Sequence, residues 1–386
     1  SLVVVEILKE KCMCKFKKPT IVGIALLLFE HGLLAQEQTK DMGVVVIKSG
    51  QSSSLPTQIP TTMETVTSTQ IQETINATDS EDALKYLPSL SVRKRFAGDY
   101  NHAVLASRAS GSQNAARSAV YADGMPLSNF VGNDKFYAPR WGMVNPEEIE
   151  RVDVMYGPFS AAYPGNSVGA VVDYVTRMPT KFEAHMKVGG FKQQFDQYNT
   201  HDSFSGKNAS ATLGSKSGDW SYWVHLSQQD VNAQPMMFVT ASPVATQAGA
   251  TAVTGIVQTK DVYGNPVGIL GTTTQYHTVQ DHAKLKMAYD FSSTMRATYT
   301  LGYWQNKSDG NAVSYLTNAA GAPVYVGGNN YVTQDGQSYS LKNNSFSASR
   351  ESLTHVMHGL SLKTNTQEVF DLSLIHISEP TRPERI

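Results

Sequence analysis

From Pro179 to about Asp371 the sequence alternates apolar and polar residues with a period of two, and no other feature limits the fold as much. Phe182, Ala184, Met186 and Val188 alternate with Glu183, His185 and Lys187. Trp220, Tyr222, Val224 and Leu226 alternate with Ser221, Trp223, His225 and Ser227. The pattern returns at Lys284–Tyr289, at Met295–Tyr303 and at His355–Leu362. Such a period sends successive side chains to opposite faces of an extended strand, so these segments read as strands with one apolar and one polar face. Short turns at Ser215–Gly218, Asp290–Ser293 and Lys363–Thr366 separate long connections, Val231–Val279 and Lys307–Arg350, rich in Gly, Thr, Asn, Gln and Ala. A compact soluble domain seldom carries structureless loops beyond about 12–15 residues. A transmembrane barrel does, with short turns at one rim and long loops at the other. The expected fold is therefore mainly β: a small α/β domain, then the first strands of a truncated transmembrane antiparallel β-barrel, about seven of them over residues 180–371. A soluble β-sandwich is the alternative, and the short-long rhythm argues against it.

The charge balance excludes a nucleic-acid partner: 32 basic against 33 acidic residues leave no global field. Charged residues are 17% of the chain, below the usual quarter of soluble domains. The 2 cysteines, Cys12 and Cys14, lack further soft ligands and fall in a segment expected to be removed, so no metal site is assigned to them. Residues 1–35 read as upstream sequence followed by a signal peptide. Lys15, Lys17 and Lys18 precede an apolar run, Ile21 to Phe29, too short for the roughly 20 residues a spanning helix needs. Cleavage after Ala35 would leave Gln36 first, with translation expected to begin at Met13. At the other end, Leu372–Ile386 reads codon by codon as the in-frame translation of a transposase sequencing adapter, so the biological sequence is expected to stop near Asp371.

Residues 36–58 are polar apart from Val44-Val45-Val46-Ile47, an extended island that can add to a partner's sheet edge or serve as a stray strand of the next domain. Residues 59–179 read as a compact α/β domain. Thr78-x-x-Glu81 is a capping-box pattern before a short helix with Ala83, Leu84 and Leu87 on its apolar face, ended by Pro88. Strands are expected at Leu90–Val92, Ser118–Tyr121, Ile149–Met155 and Val168–Val175.

Four segments in order carry a family resemblance: Asp82–Val92 (DALKYLPSLSV), Ser118–Leu127 (SAVYADGMPL), Asn145–Val154 (NPEEIERVDV) with Tyr156-Gly157-Pro158, and Tyr163–Thr176 (YPGNSVGAVVDYVT). Together, Val66–Pro179 resembles the plug domain of TonB-dependent outer-membrane receptors. The chain departs from the family at Arg108-Ala109, where Arg-Gly is usual, and at Tyr163-Pro164, where Tyr-Gly is usual. The resemblance implies a plug inside a barrel; barrels of this plugged kind have about 22 strands. It makes Met42, Gly43, Val44, Val45, Val46 and Ile47 the TonB box, paired with TonB in the periplasm during energised uptake. It also implies Arg108, Glu150 and Arg151 as plug–barrel contacts, to which Asp153 is added because it shares a strand face with Arg151 and Ile149. Apical residues Tyr100, Phe130, Phe136, Tyr137 and Trp141 are ligand-contact candidates or packing under the barrel loops.

Function follows as active uptake of a scarce ligand, a ferric siderophore first and a vitamin or oligosaccharide second, in an outer membrane whose lipid is the other partner. A soluble periplasmic binding protein is the reading from another class. A signalling receptor would need an extra domain ahead of the TonB box, and Gln36–Met42 leaves no room for one. No enzyme is expected. Phosphate-cradling and nucleophile-elbow motifs do not occur, and no cofactor is implied. His355 and His358 fall on opposite strand faces, Glu147-Glu148 reads as a turn cap, and Arg93-Lys94-Arg95 as a solvated face.

Overall fold

The structure, a computed structural model, describes residues 53–55, 61–100, 102–111, 117–129, 137–157, 163, 167–365 and, as backbone, 373–378 and 384–385. The small domain is a mixed sheet of β1 (Met63–Thr67), β4 (Ala119–Ala122), β5 (Met125–Pro126), β6 (Ile149–Tyr156) and β7 (Ala170–Thr176), ordered β1-β6-β7-β4-β5. All pairs are antiparallel except β4 with β7. A second pairing joins β2 (Leu90–Arg93) to β3 (Val104–Ser107). Asp123 and Gly124, at φ +51° and +82°, make the two-residue turn between β4 and β5, the conformation an Asp-Gly pair favours.

Helix α1 (Ser68–Thr74) starts from a capping box of Thr67 and Gln70, a signal present in the sequence but not read there. The expected box at Thr78 and Glu81 is corrected: the 3-10 turn Ser80–Leu84 is capped by Asp79 and Asp82, because Asp82 is the residue whose carboxylate turns back to the backbone N–H groups of Thr78 and Asp79. Glu81 is buried instead, with Oε2 lacking a hydrogen-bond partner. Of the basic run expected to be a solvated face, Arg93 is exposed, but Lys94 and Arg95 are tied down. Lys94 bridges Asp79 and Asp82, each at 2.7 Å, and Arg95 grips Asp99 at 2.9 Å.

The long-strand sheet forms a wall. In chain order it contains β8 (Glu183–Gln197), β9 (Thr200–Ser217), β10 (Trp220–Asn232), β15 (Pro266–Asp290), β16 (Met295–Ser314), β19 (Ser349–Thr364) and β20 (Ser373–Ser378), each antiparallel to the next. The short β21 (Glu384–Arg385) also pairs with β19. Ser373–Ser378 and Glu384–Arg385, in the stretch expected to be adapter-derived, thus supply backbone pairing along β19. Among the described residues the sheet does not close.

The alternation sorts the faces. Phe182, Met186 and Val188 are 68%, 75% and 71% exposed, and Trp220, Tyr222, Met287, Tyr299, Tyr303 and Leu360 share that outward side. Trp223, His225, His282, Lys284, Lys286 and Trp304 are buried on the other side, where the small domain packs. One core runs from Ile71, Leu84, Val120 and Tyr174 of the small domain to Trp304 and Met357 of the wall. His355 lies against Trp304, ring centroids 4.9 Å apart, while His358 meets Tyr299 on the outer face.

The long connections are folded, contrary to expectation. β11 (Met237–Ala241) and β14 (Val257–Lys260) pair with the upper part of β15. A four-stranded sheet joins β12 (Pro243–Ala245), β13 (Thr251–Ala252), β17 (Tyr331–Gln334) and β18 (Gln337–Ser340). Val239, Val253, Ile256, Leu270, Leu316, Val324, Val332, Tyr339 and Leu341 form its core. Those apolar residues are scattered among polar ones, so their common core is invisible to a periodic reading.

Candidate functional site: the interface between small domain and wall

The site is built from two turns of the small domain and one face of β15. Asn145 caps the 3-10 turn Pro146–Glu148 by accepting from the Glu147 N–H at 3.1 Å, and its amide donates to Ser227 on β10 at 3.0 Å. That turn fans two adjacent carboxylates toward the wall. Glu147 takes Lys187 of β8 at 2.6 Å. Glu148, fully buried, takes Lys284 of β15 at 2.5 Å and faces His282 at 3.3 Å and His225 at 3.9 Å. The second turn supplies Asp123, which accepts from the Thr176 N–H at 2.8 Å and from Lys286 at 2.9 Å.

Lys284 and Lys286 are two residues apart, so the strand period puts both ammonium groups on the inner face. Burial pushes the Glu148 carboxyl up, but the Lys284 ammonium and then the two imidazoles outweigh it, leaving Glu148 below the ordinary carboxylate range. For Asp123, burial again opposes, and Lys286 with the Thr176 hydrogen bonds brings the carboxyl below its usual value. Both stay ionised, as charge-assisted bonds to lysine require.

Further up, Gln280 donates to the Gly98 carbonyl at 2.9 Å, Phe96 stacks on Tyr276, and Gly142 lies so close to Trp304 that a Cβ there would come within 2.3 Å of the indole. A cavity of about 60 Å³ reaches from Asp99 and Trp141 down to His282.

None of the expected plug–barrel contacts meets the described wall. Arg108 and Glu150 are exposed. Arg151 pairs with Asp153 at 3.1 Å, and the Asp153 carboxylate is taken up inside the small domain by Ser54 and Thr65. Against the described wall the carboxylates are Asp123, Glu147 and Glu148. They lie in two of the resembling segments, but a sequence does not say which of several acidic residues meets a lysine. Of the ligand-contact candidates, Trp141 is a core residue, 3% exposed, donating to the Ala103 carbonyl at 2.7 Å. Tyr100 sits between Trp304 and the Glu351 carboxylate. Tyr137 is half-buried. Phe130, Phe136 and the stretch Met42–Ile47 lie outside the described residues.

Residues 56–171 match the family model of the TonB-dependent Receptor Plug Domain. The chain carries a TonB-dependent receptor plug. A stretch of 101 residues is 30% identical to the ferrichrome outer membrane transporter/phage receptor of Escherichia coli (strain K12), spanning 26% of this chain and 12% of that protein. The siderophore receptor PirA from Pseudomonas aeruginosa is similar in structure at 13% identity and a TM-score of 0.42, over 82% of this chain and 49% of that one. The FrpB iron transporter from Neisseria meningitidis (F3-3 variant) is similar at 14% identity and a TM-score of 0.48, over 82% of this chain and 40% of that one. The chain therefore spans half or less of each relative's length. The plug's family is one of receptors and transporters, not of enzymes.

Proposed function

We propose that this chain is the plug-bearing part of an outer-membrane receptor that imports a scarce ligand, a ferric siderophore, using energy delivered by TonB. The observation that carries the reading is the plug itself, held against the inner face of a two-faced wall by Lys284–Glu148 and Lys286–Asp123. A polar, ion-paired seat of this kind suits a domain that must stay in place at rest and yet be shifted under load. The ferrichrome and siderophore names of its relatives favour an iron chelate over a vitamin or an oligosaccharide. Met42–Ile47 is proposed as the TonB box, and the apical aromatics Tyr100, Phe130, Phe136 and Tyr137 as the ligand's nearest plug contacts. In the whole receptor, deletion of Met42–Ile47 is expected to abolish uptake of radiolabelled ferric siderophore while binding at the cell surface persists. Uptake at the undeleted rate would overturn the coupling role.

A further inference from the structure

The plug–wall interface contains a cluster built around the Glu148 oxygen that the Lys284 bridge leaves unused. Glu148, His225 and His282 come from the plug, from β10 and from β15, and they offer ligand atoms that all lie within 4.8 Å of one another. All three residues are buried, Glu148 and His225 completely. Glu148 Oε1, His225 Nε2 and His282 Nδ1 are each buried with no hydrogen-bond partner among the described residues. Three such atoms facing one another are costly unless something sits between them. We propose that they form a binding site for one divalent cation of the zinc class, clamping the plug to two wall strands.

Four features fit. Two imidazoles and one carboxylate are a donor set zinc takes readily. Ligand atoms about 2.0–2.1 Å from a tetrahedral zinc lie roughly 3.4 Å apart; Glu148 Oε1 is already 3.3 Å from His282, and His225, at 3.9 Å, would move in on binding. His225 Nδ1 lies 2.9 Å from the Thr212 hydroxyl. Donation of Nδ1–H to that oxygen fixes the tautomer that leaves the Nε2 lone pair facing Glu148. Finally, the other Glu148 oxygen is held by Lys284 at 2.5 Å, so Oε1 is aimed while its neighbour is occupied. The cavity reaching His282 gives solvent-sized space beside the cluster. Nothing in this depends on which ligand the receptor imports: a chain that binds zinc here yet carries no siderophore would uphold the site and sink the uptake reading.

The test uses the whole chain in detergent micelles, stripped with a chelator, and zinc chloride as the probe in calorimetric titration. One zinc per chain is expected, with His225→Gln and His282→Gln each weakening it at least about 100-fold. Thr212→Val, which only removes the orienting hydroxyl, is expected to weaken it by about 10–100-fold. The cobalt-loaded parent is expected to show the intense visible absorption of a tetrahedral site, a readout that needs no variant to fold. Absence of stoichiometric zinc, weak octahedral cobalt absorption, or unchanged affinity in the double histidine variant would each overturn the site.

Discussion

Lys284 and Lys286 stand on one face of β15, each holding a plug carboxylate, but the two pairs differ in burial. Lys284 and Glu148 have side chains 1% and 0% exposed, whereas Asp123 is 24% exposed. Removing one partner of a fully buried pair strands the other charge, at a cost of about 3–5 kcal/mol. Lys284→Met is therefore expected to lower the denaturant stability of the plug by that amount, and Lys286→Met by clearly less. Adding Glu148→Gln to Lys284→Met should recover much of the loss, followed by Trp fluorescence during unfolding in micelles. The same carboxylates set an acid limit. Both have folded values below the unfolded ones, so their contribution is complete above the ordinary carboxylate range near pH 4 and is lost as pH falls through the depressed values. Stability should be level from pH 7 to about 5 and fall below about 4; a plug that gained stability on acidification would contradict the assignment.

Among the elements, the β4–β5 turn is the one most open to reading from local chemistry. Asp123-Gly124 demanded positive φ at both positions, and the structure has it. Gly124→Ala places a Cβ in the left-handed region and is expected to cost about 1–2 kcal/mol and to disturb the Asp123–Lys286 pair, measurable as a lower unfolding midpoint. Other elements were less legible. β9 carries Ser, Gly, Lys and Asn through most of its length, so its strand character comes from the ladders it makes with β8 and β10. The folded cap over the long connections rests on residues as far apart as Val239 and Leu341. Leu270 is fully buried there, and Leu270→Ala is expected to cost about 2–5 kcal/mol, seen as faster proteolytic cleavage within residues 237–260. A cap that was only loose loop would be cleaved equally fast in both forms.

For the whole molecule, the two-faced wall makes a prediction about its surroundings. Leu285 faces outward opposite Leu301, five positions from the β15–β16 turn, which is about half of a 9–11-residue crossing. Leu285→Arg should therefore place a cation near mid-bilayer and cost about 2–4 kcal/mol in folding titrations into lipid vesicles. A negligible effect would mean that this face does not meet lipid.

The sequence by itself determined the two-faced strands, the Asp-Gly turn and the plug motifs, because each rests on a period or a few adjacent residues. Only the tertiary structure decided that Glu147 and Glu148 reach outward to the wall while Asp153 is kept inside the plug. It alone brought Glu148, His225 and His282 within 4.8 Å of one another. The physical reason is register: strand pairing sets which distant side chains share an inner face, and no local pattern encodes that pairing.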